Sequence, residues 1–206
     1  MEKIVMLEPD MVLATSLTDV RAVEKLGRLG IKVISIPPPG SFDELCKQFL
    51  ELGEILGEEE KARKIVNDAR NKVGLIRKKA GNLSSPRVFV QIGSSPLFAA
   101  TDDYFIDDFV GFAGGTNIAE KSKTGLYSRE EVIKRNPDVI VVVTMGIAGD
   151  KEIENWKNYK TLNAVKNNRI HLVDPYRLCS STPESFVDML EEFVEILHPD
   201  ETGRKL

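Results

Sequence analysis

The polar and apolar positions of this chain follow one pattern twice. Near the start, a short amphipathic stretch Glu2-Lys3-Ile4-Val5-Met6-Leu7-Glu8 meets the corner Pro9-Asp10 and then the apolar run Met11–Ala14. Far downstream, Glu130-Glu131-Val132-Ile133-Lys134-Arg135-Asn136 meets Pro137-Asp138 and then Val139–Val142. The separation is too long for a solenoid repeat and suits two related α/β lobes. The apolar runs do not alternate, so each predicts a strand buried on both faces, as in parallel sheets.

The rest of the pattern extends both lobes. Met11–Thr15 reads as a strand, and Ser16 or Thr18 can cap a helix through Val20, Val23 and Leu26 that ends at Gly27 or Gly30. Ile31–Ile36 is a second strand, stopped by Pro37-Pro38-Pro39-Gly40. Ser41 then caps a helix with the stripe Leu45, Phe49, Leu52 and Leu56. The order β-α-β-α predicts parallel strands with right-handed crossovers. From Glu58 to Ala80 runs a long charged helix, acidic at its start and basic at Arg77-Lys78-Lys79, as the helix dipole favours. At 1.5 Å per residue it is roughly 35 Å long, enough to bridge two lobes.

A strand at Arg87–Ile92 opens the second half, followed by a loop at Gly93–Phe98, a helix at Tyr104–Phe112 and a turn at Gly114-Gly115-Thr116-Asn117. The helix Ser128–Arg135 and strand Val139–Thr144 carry the repeat. A helix with Trp156, a strand Arg169–Val173, a loop Asp174–Thr182 and a helix Pro183–Leu197 complete it, with Thr182 as N-cap before Pro at the first helical position. The domain division read from this is residues 1–57 for an incomplete N-terminal lobe, 58–82 for the interlobe helix and 83–206 for the C-terminal lobe.

Composition narrows the function classes. The 206 residues are 42% hydrophobic and 29% charged with net charge −4, an ordinary globular balance. Lys and Arg are dispersed apart from Arg77–Lys79, which argues against a nucleic-acid partner. No run approaches the roughly 20 apolar residues of a membrane helix, and Met1-Glu2-Lys3-Ile4 is not a signal peptide. Cys46 and Cys179 stand apart and read as packed thiols. His171 and His198 lack the spacing of a zinc site or a base beside a nucleophile, so neither a metal centre nor enzymatic catalysis is expected. The glycines at 111, 114 and 115 are not followed by the Lys-Ser/Thr of a phosphate loop.

Three passages carry a family resemblance: Ile4-x4-Pro9-Asp10-Met11-Val12; Arg87–Gly93 with Pro96-Leu97; and Gly114–Ile118 leading to Ser128–Val132. In order and spacing the chain resembles the substrate-binding proteins of ABC importers for cobalamin, ferric siderophores and haem, and looks closest to the cobalamin-binding branch. The resemblance implies two Rossmann-like lobes with parallel sheets joined by one long α-helix, no resident cofactor, a metal-chelate ligand, a permease partner and an extracytoplasmic location. Family members usually carry a signal and a further βαβ stretch before the first Pro-Asp unit. Here Met1 falls at that unit, so the first lobe is expected to be truncated, with a strand edge open to a homodimer. A non-transporting module that self-associates or regulates is the alternative function.

Ligands of open parallel sheets bind beyond the carboxyl ends of the strands. This selects Ser16, Thr18, Pro38, Ser94, Ser95, Leu97, Met145, Tyr176 and Arg177. By the family's order Tyr104 and Tyr127 flank the second-lobe cleft, where a flat ring with a polar tip suits a corrin, porphyrin or catecholate. Arg177 could pair with a carboxylate. The resemblance also implies an acidic docking residue on each lobe. Asp19 and Glu184 are the candidates, although Arg21 occupies the apparent aligned position and Glu24 lies a turn further on.

Overall fold

The computed structural model describes residues 2–15, 18–119, 121–143, 148–179 and 181–199. Two compact units divide the chain, residues 1–39 and 40–206.

The first unit holds α1 (Glu2–Met6), β1 (Met11–Thr15), α2 (Val20–Arg28) and β2 (Lys32–Ile36). The two strands pair in parallel, with Val12 opposite Val33 and Ala14 opposite Ser35. The α2 cap is Asp19, which accepts the Arg21 N–H at 2.9 Å. Thr18, expected in that role, instead turns its Oγ1 back to the Thr15 N–H at 3.1 Å. A carboxylate one residue closer to the helix is the better acceptor, and it released the hydroxyl to shape the loop. Ser16, the other expected cap, lies outside the described residues. Gly30 follows the helix at φ +78, a left-handed conformation that only glycine adopts without strain.

The second unit begins with two long helices, α3 (Phe42–Leu56) and α4 (Glu59–Ala80). Ser41 caps α3, accepting the Glu44 N–H at 3.2 Å. The unit boundary falls before α3, not at residue 57. Phe42, Leu45 and Cys46 belong to one buried cluster with Val66, Ala69 and Val73 of α4, so the α3 stripe is committed to helix packing. Gly53 is where α3 and α4 come closest; a Cβ there would collide with Ala62.

There follow β3 (Arg87–Ser94), β4 (Leu97–Ala99), α5 (Ile106–Phe112), β5 (Thr116–Asn117), α6 (Arg129–Arg135) and β6 (Val139–Val142). Next come α7 (Ala148–Lys157), α8 (Asn163–Lys166), β7 (Ile170–Leu172), α9 (Pro175–Cys179) and α10 (Pro183–Leu197). The sheet order is β4-β3-β6-β7 with β5 beside β3, and only β4 is antiparallel. Strands β3 and β6 are covered on both sides. Val88, Val90, Val139 and Val141 face one cluster with Phe109, Phe186 and Phe193. Phe89, Ile140 and Val142 face another with Trp156 and Leu162. That is why these runs show no alternation. The expected loop at 174–182 contains α9. Its signal was Asp174 before Pro175: the carboxylate accepts the Tyr176 N–H at 2.9 Å, capping a helix that opens on proline.

Candidate functional site

In the first unit, the carboxyl ends of β1 and β2 enclose a pocket of about 330 Å³ lined by Thr15, Thr18, Val20, Val23, Ser35, Ile36 and Pro37. Thr18, selected from sequence, is there. Its neighbour in the list of expectations, Pro38, is exposed and outside the lining, where Pro37 takes the place. The pocket is apolar with hydroxyl edges from Thr15, Thr18 and Ser35, a surface suited to a bulky ring with few polar groups.

In the second unit, the same end of the sheet begins at the β3–β4 hairpin. Ser94 pairs with Leu97 across a turn with a cis Ser95–Pro96 bond. Ser95 is exposed and Ser94 half-buried. Leu97 is buried in the cluster with Phe89 and Trp156. Tyr104 is 42% exposed and Tyr176, on α9, is 75% exposed. Tyr127 packs its ring 5.7 Å from Phe89 and directs its hydroxyl to the Ile118 carbonyl at 3.4 Å. Burial raises its pKa, against the opposing charge of Arg135. Arg177 is half-exposed and already paired, Nη1 to Glu192 Oε2 at 2.7 Å. Met145 lies outside the described residues. The hairpin serines, Tyr104 and Tyr176 are therefore the most accessible of the expected second-unit residues.

Sequence reasoning missed a buried polar network at this end of the sheet. Gln91 stands opposite Val142, the last residue of β6. Its Nε2 donates to Glu152 Oε2 at 2.7 Å, and its Oε1 accepts Trp156 Nε1–H at 2.6 Å. Arg129 Nη2 donates to the same Glu152 oxygen at 2.7 Å, and Asn155 Nδ2 donates to Oε1 at 2.8 Å. The Arg129 guanidinium lies 4.5 Å from the Trp156 ring centre. Burial opposes ionisation of Glu152, but the donors Gln91, Arg129 and Asn155 outweigh it and hold the carboxyl below its usual range. The network ties α6, α7 and β3 together beneath the expected binding loops. No local spacing announces it, because its members lie far apart in the chain.

The docking candidates are both solvent-facing. Asp19 serves as the α2 cap, and Glu184 in the first turn of α10 borders a polar hollow of about 590 Å³ with Asp68, Lys72 and Asp188. Among the described residues, no group of three His, Cys, Asp or Glu side chains could hold a metal ion. No described helix is long and apolar enough to cross a membrane.

Residues 1–176, spanning both sheets, match the family described as periplasmic binding protein. The chain belongs to that family. It is 30% identical over 207 aligned positions to an uncharacterised ABC transporter substrate-binding lipoprotein of Bacillus subtilis, covering 97% of this chain and 65% of that one. A vitamin B12-binding protein of Vibrio parahaemolyticus is 23% identical over 93% of this chain and 70% of its own length. Among solved structures, a Staphylococcus epidermidis protein described as a possible iron-binding, periplasmic solute-binding protein superposes with TM-score 0.85 at 26% identity, covering 96% of this chain and 79% of that one. This chain thus spans about two thirds of the length of the Bacillus relative. The mixed α/β architecture with parallel strands is the family's, and its named relatives are substrate-binding transport proteins.

Proposed function

We propose that this protein captures a metal-chelate, of the cobalamin, haem or ferric siderophore class, outside the cytoplasm and hands it to an ABC importer permease. The family match across both sheets carries the reading. It is supported by what stands at the strand ends. The first unit offers an apolar pocket edged by threonine and serine hydroxyls. The second offers the Ser94–Ser95 hairpin with Tyr104 and Tyr176 exposed. Flat rings with polar tips match macrocyclic or catecholate ligands, and Arg177 adds a cation for a carboxylate edge. Function here is binding and release without bond chemistry. Asp19 and Glu184 are the proposed permease contacts.

The test is thermal unfolding with cobalamin, haemin and ferric siderophores. A ligand at 100 times its dissociation constant adds about 2.7 kcal/mol, a shift of several degrees for a chain of this size. Stabilisation by one chelate, weakened by Tyr104→Ala or Tyr176→Ala, is the expected result. No shift with any of them would overturn the reading.

A further inference from the structure

The edge of β1 that faces away from β2 has no strand beside it among the described residues. Its counterpart in the second unit is paired on both sides. β6 holds β7 along one edge and β3 along the other, with Val88 opposite Val139 and Gln91 opposite Val142. The corner takes part as well: Asp138 Oδ2 accepts the Arg87 N–H at 2.9 Å, and the Arg87 guanidinium reaches the Arg135 and Asn136 carbonyls. Leu7, Glu8 and Asp10 hold the same positions in the first copy. Glu8 even shares the left-handed backbone of Asn136, φ 45 against 46. Asp10 is exposed and bonds to no strand among the described residues. The repeat thus shows that an edge of this kind is built to be paired.

We propose that the bare edge of β1 pairs with the same edge of a second copy, forming an antiparallel ladder across a twofold dimer. Strand edges that must stay single carry charges, proline or bulges. Met11-Val12-Leu13-Ala14-Thr15 has none of these. Centred on Leu13, antiparallel pairing sets Val12 opposite the partner's Ala14 and Met11 opposite the partner's Thr15, so no like charges meet. Antiparallel ladders are also slightly more stable per residue than parallel ones. The unit presents apolar surface to complete the contact: Leu13 is 45%, Met6 81%, Leu7 79% and Val20 70% exposed. Because the same patch serves both copies, the contact closes on itself and gives a dimer, not a filament. The self-association needs no ligand, so it stands or falls separately from the chelate reading.

Light scattering behind size exclusion and sedimentation equilibrium on the 206-residue chain test it. A dimer is expected. Leu13→Lys places like charges opposite each other at the twofold axis and weakens association by at least about tenfold. Its circular dichroism reports whether it stays folded. Leu13→Cys, which keeps an apolar side chain at the axis, provides the second arm. With Cys179 changed to serine and Cys46 buried, mild oxidation joins two copies through residue 13. A monomer at every concentration overturns the proposal. So does a dimer that neither responds to Leu13→Lys nor crosslinks through Leu13→Cys.

Discussion

The chain contains the same Pro-Asp strand unit twice, in opposite circumstances. Val139, Ile140, Val141 and Val142 of β6 are all fully buried between two layers of side chains. In β1 only Ala14 is buried, and Leu13, at the position of Val141, is nearly half exposed. In the first unit, Ala14 and Leu26 are the only buried hydrophobic side chains among the described residues, whereas the second unit has two extensive clusters. Similar local sequence therefore yields a similar local shape but not a similar stability. A helix, a corner and a strand are short-range features. Burial depends on what the rest of the chain brings to each face, and two strands are below the usual sheet size.

The largest effect should come from emptying the buried copy. Ile140→Ala removes a fully buried side chain and is expected to cost about 3 kcal/mol. Val12→Ala, its counterpart on a half-covered strand, should cost about 1 kcal/mol or less. Denaturant titration of both variants decides the matter, and equal costs would break the comparison. Because Trp156 is the single tryptophan and is buried in the second unit, its fluorescence reports that unit alone. Far-UV dichroism follows both. On heating, part of the dichroism should be lost before the fluorescence changes; coincident transitions would show that the two units unfold together.

Glu152 sharpens the picture of the buried unit. Glu152→Gln leaves Arg129 facing a neutral partner in a largely buried site and should destabilise by about 2–3 kcal/mol. The effect should depend on pH in a definite direction. The carboxyl's folded-state pKa lies below its ordinary 4.5, so its stabilisation is complete above that value. It is lost as pH falls through the lowered value. The gap between wild type and Glu152→Gln should therefore narrow in acid; a gap that stays constant down to low pH would contradict the network.

The smallest effects concern the corners themselves. Asp138 is held below 3.8: burial opposes ionisation, but the Arg87 N–H and the Asn163 amide outweigh it. Asp138→Ala should cost about 1–2 kcal/mol, since it leaves the Arg87 N–H without its acceptor. Asp10→Ala, at an exposed corner without such a bond, should change stability by no more than about 0.5 kcal/mol. If Asp10→Ala costs as much as Asp138→Ala, the first corner is satisfied in solution by a neighbouring strand. The dimer would then be the first place to look.

Much of the fold was legible because it is written in short-range signals. Ser41, Ser128 and Thr182 each precede a helix and cap it as read. The uninterrupted apolar runs at 88–92 and 139–142 became strands covered on two faces because only such strands can use them. Two local signals were open to reading and were passed over. Asp19 was a better cap than Thr18, and Asp174-Pro175 announced α9. The candidate site was less legible. The strand-end rule selected the Thr18 loop and the Ser94–Ser95 hairpin. It could not tell that Leu97 turns into the core, that Pro37 and not Pro38 lines the first-unit pocket, or that Arg177 is paired with Glu192.

The sequence by itself determined where the helices and strands run, that the strands are parallel and that the Pro-Asp unit occurs twice. Each follows from periodicity, caps and corners within a few residues. Only the tertiary structure decided which helix belongs to which unit, since α3 could have packed on either sheet and its stripe went to α4 and α10. It also assembled Gln91, Arg129, Glu152 and Trp156 from three distant segments. Such pairings depend on which faces meet, and side-chain spacing along one element carries no record of its partners on another.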